Sequence, residues 1–150
     1  MEKYTGPTEA QIAQFGECDP DSAVAALNLF WFNERAQYQP EDPEYGTDRA
    51  DVTGEQAYAA YGAAAGAVIA QLGGRVVVSS SVDQVMIGPE SLRCDRAAIM
   101  FFPTRRAYFE MTQNSDFQAA SRHRRAALAN HHMLHLDGRP FVEPPAVSKL

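Results

Sequence analysis

The chain predicts an α+β domain in the order strand, helix, strand, strand, helix, strand, with a short helix ahead of it. Three observations carry this expectation. Two stretches, Val24–Phe32 and 97–102, are almost wholly apolar and of strand length. An alanine-rich segment over 53–72 places apolar residues at helical spacing between a capping pattern and a double glycine. A second helical pattern after Thr104 leads into a final strand at 131–136.

Taken in order, Thr8 caps a short helix that runs to Phe15 and ends at Gly16, and Asp19-Pro20-Asp21 then breaks the chain. The run VAALNLFWF suits a central strand covered on both faces. Residues 34–52 carry Pro40, Pro43, Gly46 and a cluster of acids, and read as a long surface loop of the kind that is functional or mobile. Thr53 and Gln56 form a capping box; Tyr58, Tyr61, Ala65, Val68, Ile69 and Leu72 define the buried face of the helix, and Gly73-Gly74 ends it. Residues 75–87 read as a strand, from the valines at 76–78 to Val85, before the turn Gly88-Pro89-Glu90. Pro103 stops the strand at 97–102. Thr104 opens a short helix containing Tyr108, Phe109 and Met111, interrupted at Asn114-Ser115. Ser115 or Asp116 is expected to cap its continuation from Phe117 to about Ala129. The organisation is therefore an extension over 1–22, one domain over 23–137, and a proline-bearing tail over 138–150.

Two strand–helix–strand crossovers joined by a turn make the ferredoxin-like βαββαβ arrangement. Right-handed crossovers place both helices on one face of a four-stranded antiparallel sheet. Yet the first strand carries bulky apolar residues at both parities, Leu27, Leu29 and Trp31 against Phe30 and Phe32. The face away from the helices needs its own cover, and a second copy of the chain is the economical source.

With 150 residues, 45% of them apolar, the chain can bury a real core. Its net charge is −6, divided into −9 over 1–56 and +3 over 57–150. That balance disfavours nucleic acid and anionic membrane as partners. Cys18 and Cys94 make neither a disulfide framework nor a metal-ligand pair. No apolar run is long enough to span a membrane, and Met1-Glu2-Lys3-Tyr4 leads into no secretory h-region, so a cytoplasmic protein is expected.

Between about Val24 and Asp137 the sequence resembles the bacterial domain of unknown function 1330 family, within the dimeric α/β-barrel superfamily. The resemblance lies in Tyr58-x-x-Tyr61 before the alanine-rich helix and in Gly73-Gly74-Arg75 leading into valines. It continues in Phe102-Pro103-Thr104 closing a strand, and in Ser115-Asp116-Phe117-Gln118-Ala119 with Arg124 downstream. It implies a homodimer whose sheets face one another with helices outside. Relatives in the superfamily include cofactor-free monooxygenases, lactone isomerases and haem enzymes, so the fold does not choose a reaction. The chain departs from the family at Phe101, where an acidic residue often precedes the Phe-Pro pair.

Arg124 shares a helical line with Phe117, Ala120 and Leu128, which is expected to face the sheet. An inward arginine needs an anion, supplied by the protein as a salt bridge or by a ligand. His123 has alanines around it and an arginine beside it, a setting for a neutral general base or for an ordinary surface histidine. Asn28 interrupts an apolar strand and must find hydrogen bonds, to a substrate or across the sheet. These three are the catalytic candidates. Tyr58, Tyr61 and Arg75 are the ligand-binding candidates, against the alternatives of aromatic packing and of a cap on the preceding helix. His131 and His135 share a strand face about 13 Å apart, too far for one metal ion. The arginines at 105, 106, 122, 124 and 125 are expected to meet the acidic loop, the chain's own or that of a second copy, and the loop is itself a candidate lid. No cofactor is implied. The expectation is a small apolar or anionic metabolite bound between sheet and helices, with chemistry of the cofactor-free oxygenase or isomerase kind. The alternative is a non-catalytic ligand-binding or scaffolding homodimer.

Overall fold

Residues 2–142 are described by a computed structural model, and all four α-helices open on a side-chain cap legible in the chain. Helix α1 spans Glu9–Gly16 and α2 spans Gly54–Gln71, each with a full capping box, Thr8 with Gln11 and Thr53 with Gln56. Helix α3, Arg105–Gln113, is capped by Thr104. Helix α4, Ser115–Ala127, is capped by Asn114 rather than by Ser115 or Asp116. The Asn114 backbone is extended, and its side-chain oxygen accepts from the N–H groups of Asp116 and Phe117. One residue thus closes α3 and opens α4.

The strands are β1 (Val24–Phe32), β2 (Arg75–Ser81), β3 (Arg96–Phe102) and β4 (Leu128–Asp137), in the spatial order β2-β3-β1-β4 with every neighbour antiparallel. This is the α+β, four-stranded arrangement the element order predicts. Strand β2 stops short of the expected 75–87, because β3 offers partners only as far as the Ser81–Arg96 pair. Beyond it Met86 and Ile87, the last residues of the expected strand, are 81% and 93% exposed. Strand β4 starts earlier than expected, since Leu128 already pairs with Phe32 and Asn130 with Trp31.

Alternation along β1 sets the two faces. Ala26, Asn28 and Phe30 lie with α2 and α4, where Phe30 packs with Tyr58, Tyr61, Ala65 and Leu128. A second cluster joins Val24 and Phe102 to Val68, Ile69 and Met111. Helix α2 sits tightly on the end of β1: a Cβ at Gly54 would lie 2.1 Å from the carbonyl oxygen of Asn33. On the other face Leu27 pairs with Ile99 and Leu134, of which Leu134 is 60% exposed.

The acidic loop is held against α4 by its own chain. Glu44, buried, accepts from Arg122 Nε at 3.0 Å and Nη2 at 2.8 Å, and buried Asp42 accepts from Arg125. Tyr38 Oη lies 2.7 Å from His123 Nδ1. Two arginines of the basic run therefore meet the loop as expected. Of the others, Arg106 pairs with Asp21, and Arg105 donates to Ser22 Oγ and the Ala23 carbonyl. The N-terminal extension lies along β4: Tyr4 N donates to Asn130 Oδ1 at 2.7 Å, and His131 N donates to the Tyr4 carbonyl at 2.8 Å. Farther on, Phe15 of α1 rests against the rings of Tyr108 and His135. A 3-10 turn at Arg139–Phe141 follows β4. The tail expected around Pro144 and Pro145 lies outside the described residues.

Candidate functional site

Between the helix-side face of the sheet and helices α2, α3 and α4 lies a cavity of about 560 Å³, a size typical of small-molecule sites. The sheet contributes Ala26, Asn28, Phe30, Met100, Phe102 and His131. The helices contribute Tyr58, Tyr61, Gly62, Ala65, Gly66, Phe117 and Arg124. Gly6 and Pro7 of the N-terminal segment also reach its wall. The walls are mostly apolar; Arg96 of β3, paired with Glu55 of α2 at 3.4 Å, and Arg124 of α4 are the two arginines on them.

Arg124 projects from α4 toward the sheet, as its helical line with Phe117 and Ala120 predicts. Its Nη2 lies 2.7 Å from His131 Nδ1 and donates to the Thr5 carbonyl at 2.8 Å. No carboxylate among the described residues pairs with it; the buried loop acids Glu44 and Asp42 are taken by Arg122 and Arg125. The guanidinium is a cation in an apolar cavity with only neutral partners.

Because a guanidinium can only donate, His131 Nδ1 must accept, and the ring carries its proton on Nε2. That proton points to Asn28 Oδ1, 2.8 Å away. Burial, and then the Arg124 charge, hold the imidazole down at about 3, so it is neutral throughout the physiological range. Asn28 is saturated in turn, its amide donating to the Ala26 carbonyl at 3.1 Å and to Met100 Sδ at 3.2 Å. The row Arg124, His131, Asn28 therefore has its donors and acceptors fixed in one direction.

Tyr58 and Tyr61 stand on α2, each 9% exposed, with ring centroids 5.4 Å apart. Neither hydroxyl is hydrogen-bonded to another described residue, and both residues line the cavity. Burial raises both phenols, Tyr61 to about 12, so each stays a protonated donor. The cavity thus offers a fixed positive charge and two free hydroxyls within aromatic walls.

Of the six candidates from sequence, Arg124, Asn28, Tyr58 and Tyr61 are brought together around this cavity. His123 and Arg75 are not. One step along α4 turns His123 about 100° from Arg124, toward the acidic loop, where Tyr38 takes it. Burial, then the neighbouring Arg122, lowers its basicity, but it is not part of the cavity wall. Arg75 neither caps α2 nor reaches the cavity mouth: it donates to the Phe141 carbonyl at 2.6 Å and lies 4.7 Å over the ring of Phe101. No residue of 34–52, the candidate lid, lines the cavity. Phe101, where an acid often stands in the family, pairs with Ala25 and lies outside the cavity wall. Sequence reasoning missed His131. The signal was present in its placement opposite Phe30, two residues from Asn28 on the same face, but it needs the strand register.

No curated protein matches the chain. Solved structures do match, among them two that cover nearly all of it. The crystal structure of the methylated RPA0582 protein is 32% identical, with a TM-score of 0.79, over 97% of this chain and 99% of the other. A structure of RPA0582, a protein of unknown function from Rhodopseudomonas palustris, is 31% identical, with a TM-score of 0.79, over 95% of this chain and 100% of the other. Residues 43–138, with both walls that hold Arg124 and the tyrosines, match the domain of unknown function DUF1330, and the chain belongs to that family.

Proposed function

We propose that the protein is a homodimer that binds a small organic anion with an apolar body in the cavity between sheet and helices. One observation carries this reading: Arg124 presents a cation without a carboxylate partner inside apolar walls, beside the unpartnered hydroxyls of Tyr58 and Tyr61. Arg124 is half-buried with no counter-ion, and an anionic ligand at the cavity would supply one through a charge-assisted hydrogen bond. A carboxylate suits the site best, one oxygen to the guanidinium and one to a phenol. The dimer is supported by the apolar sheet face of Leu27, Ile99 and Leu134. The unpaired Cys18 and Cys94 fit a reducing compartment such as the cytoplasm.

A catalytic reading, as a cofactor-free oxygenase or isomerase, is favoured by the protonated tyrosines beside a cation, because such a pair stabilises a developing enolate. The non-catalytic reading is favoured by His131, whose two ring nitrogens are both engaged and leave no free base. Calorimetric titration with octanoate and with its methyl ester tests the shared claim. Octanoate is expected to bind the wild-type chain and to lose at least about tenfold in affinity in Arg124→Gln. The ester is expected to bind both proteins alike. Equal octanoate affinity in the two proteins overturns the assignment.

A further inference from the structure

We infer that Gly62 and Gly66 form the bed for the ligand's apolar body, and so set how long an acid the cavity accepts. The inference rests on the anion-binding reading above. Both glycines lie inside α2, four residues apart on the face that lines the cavity. A glycine in a helix interior costs about 1 kcal/mol relative to alanine. The three glycines at the ends of α2 have a visible backbone reason. A Cβ at Gly54 would meet the Asn33 carbonyl at 2.1 Å, one at Gly74 would meet that of Phe101 at 2.5 Å, and Gly73 has φ of +82°. Gly62 and Gly66 have no such reason. Apart from the adjoining backbone of α2 itself, nothing lies within 4 Å of where their Cβ atoms would stand, and neither has a positive φ. Helix stability is forgone twice, and what is gained is open volume inside the cavity.

The register gives that volume a direction. Arg124 binds His131, which pairs with Phe30 near the end of β1, and Tyr58 packs on the Phe30 ring at 4.5 Å. At the far end Ile69 packs with Val24 and Phe102, which are a strand pair. Val24 and Phe30 are separated by roughly 20 Å of strand at about 3.3 Å per residue. Helix α2 spans the same interval, with Gly62 and Gly66 between Tyr58 and Ile69. An acid held at Arg124 therefore extends its tail over Gly62, then Gly66, toward Ile69 and Phe102. The ligand class is an elongated aliphatic or flat aromatic acid.

Titrations with hexanoate and dodecanoate, on the full chain, test this. The wild-type protein is expected to prefer dodecanoate. Gly66→Leu is expected to weaken dodecanoate binding by about tenfold and hexanoate binding by less than about twofold. Retained hexanoate binding also proves the variant folded. Gly66→Ala, a smaller change that favours the helix, is expected to weaken dodecanoate by about threefold. Unchanged dodecanoate affinity in both variants, or equal losses for the two acids, overturns the tail path. Failure of the wild-type chain to bind either acid overturns the anion reading beneath it as well.

Discussion

Asn28 and His131 are joined across adjacent strands without being register partners. Asn28 stands opposite Met133 and His131 opposite Phe30, so the 2.8 Å bond from His131 Nε2 to Asn28 Oδ1 is a diagonal contact on one sheet face. Asn28 is 2% and His131 9% exposed, so water cannot replace a lost partner cheaply. Asn28→Leu, close in volume, is expected to destabilise the fold by about 1–3 kcal/mol through the stranded imidazole N–H. Urea unfolding measures the loss. Nitrogen-15 spectra of the imidazoles check its cause: the wild-type His131 should show the Nε2-protonated form, and a ring protonated on Nδ1 would refute the assignment.

The depressed basicity of His131 has a definite sign for stability. Its folded value is about 3, against 6.5 for a free imidazole, so the folded state prefers the neutral ring. The resulting stabilisation is complete above about pH 6.5 and is lost as the pH falls toward 3. Burial moves His123 and His135 the same way, and the arginine bonds of Asp42 and Glu44 add losses below the ordinary carboxylate range. Stability should be level above about pH 7 and decline on acidification. The His131 share is about 2 kcal/mol between pH 6.5 and pH 5. Chemical denaturation across that range should show a shallower slope in His131→Gln. Parallel curves for the two proteins would rule His131 out as the source.

Arg122 and Glu44 fasten the acidic loop to α4. The carboxylate is buried, accepts three hydrogen bonds from the guanidinium, and is held below its usual range by them. Removing one partner leaves the other uncompensated, which is costlier than removing both. Arg122→Met is expected to cost about 3 kcal/mol, and Arg122→Met with Glu44→Leu distinctly less. A double-mutant cycle in urea measures the coupling; additive losses would mean that the pair is an incidental surface contact. Since the loop lines no part of the cavity, octanoate affinity should change by less than about twofold in the double variant.

Local chemistry made much of the fold legible. The capping boxes at Thr8 and Thr53, the apolar strand at Val24–Phe32 and the prolines and glycines that end elements act within a few residues, so a single chain displays them. Placement set by helical phase was legible too: the spacing of Arg124, Tyr58 and Tyr61 puts them on faces that line the cavity. Contacts fixed by pairing were not. His131 becomes a partner of Arg124 only when β4 is registered against β1, and the two histidines beside each other gave no clue to which faces inward. The N-terminal segment joins β4 through backbone groups of Tyr4 and α4 through the Thr5 carbonyl that Arg124 holds, and backbone groups carry no side-chain signature. The placement of His123 outside the cavity wall is not legible, because its partner, Tyr38, comes from a loop whose path the sequence does not set.

The sheet face opposite the helices tests the proposed dimer. On a single chain Leu134 is 60% and Val78 48% exposed, beside Ile99 and Leu27 across the strands. Covering this face with a second copy would remove enough apolar area to favour association, at about 25 cal/mol per Å² before the losses that accompany binding. Leu134→Glu places a charge where that contact would form, on a side chain already open to water in the single chain. The substitution should therefore leave the monomer folded and separate the copies, raising the dissociation constant by at least about a hundredfold. Sedimentation velocity at micromolar concentration is expected to show a dimer for the wild-type chain and a monomer for the variant, with matching circular dichroism. The cavity lies on the other side of the sheet, so octanoate binding should survive in the variant. A wild-type chain that sediments as a single copy would end the case for the dimer while leaving the cavity untouched.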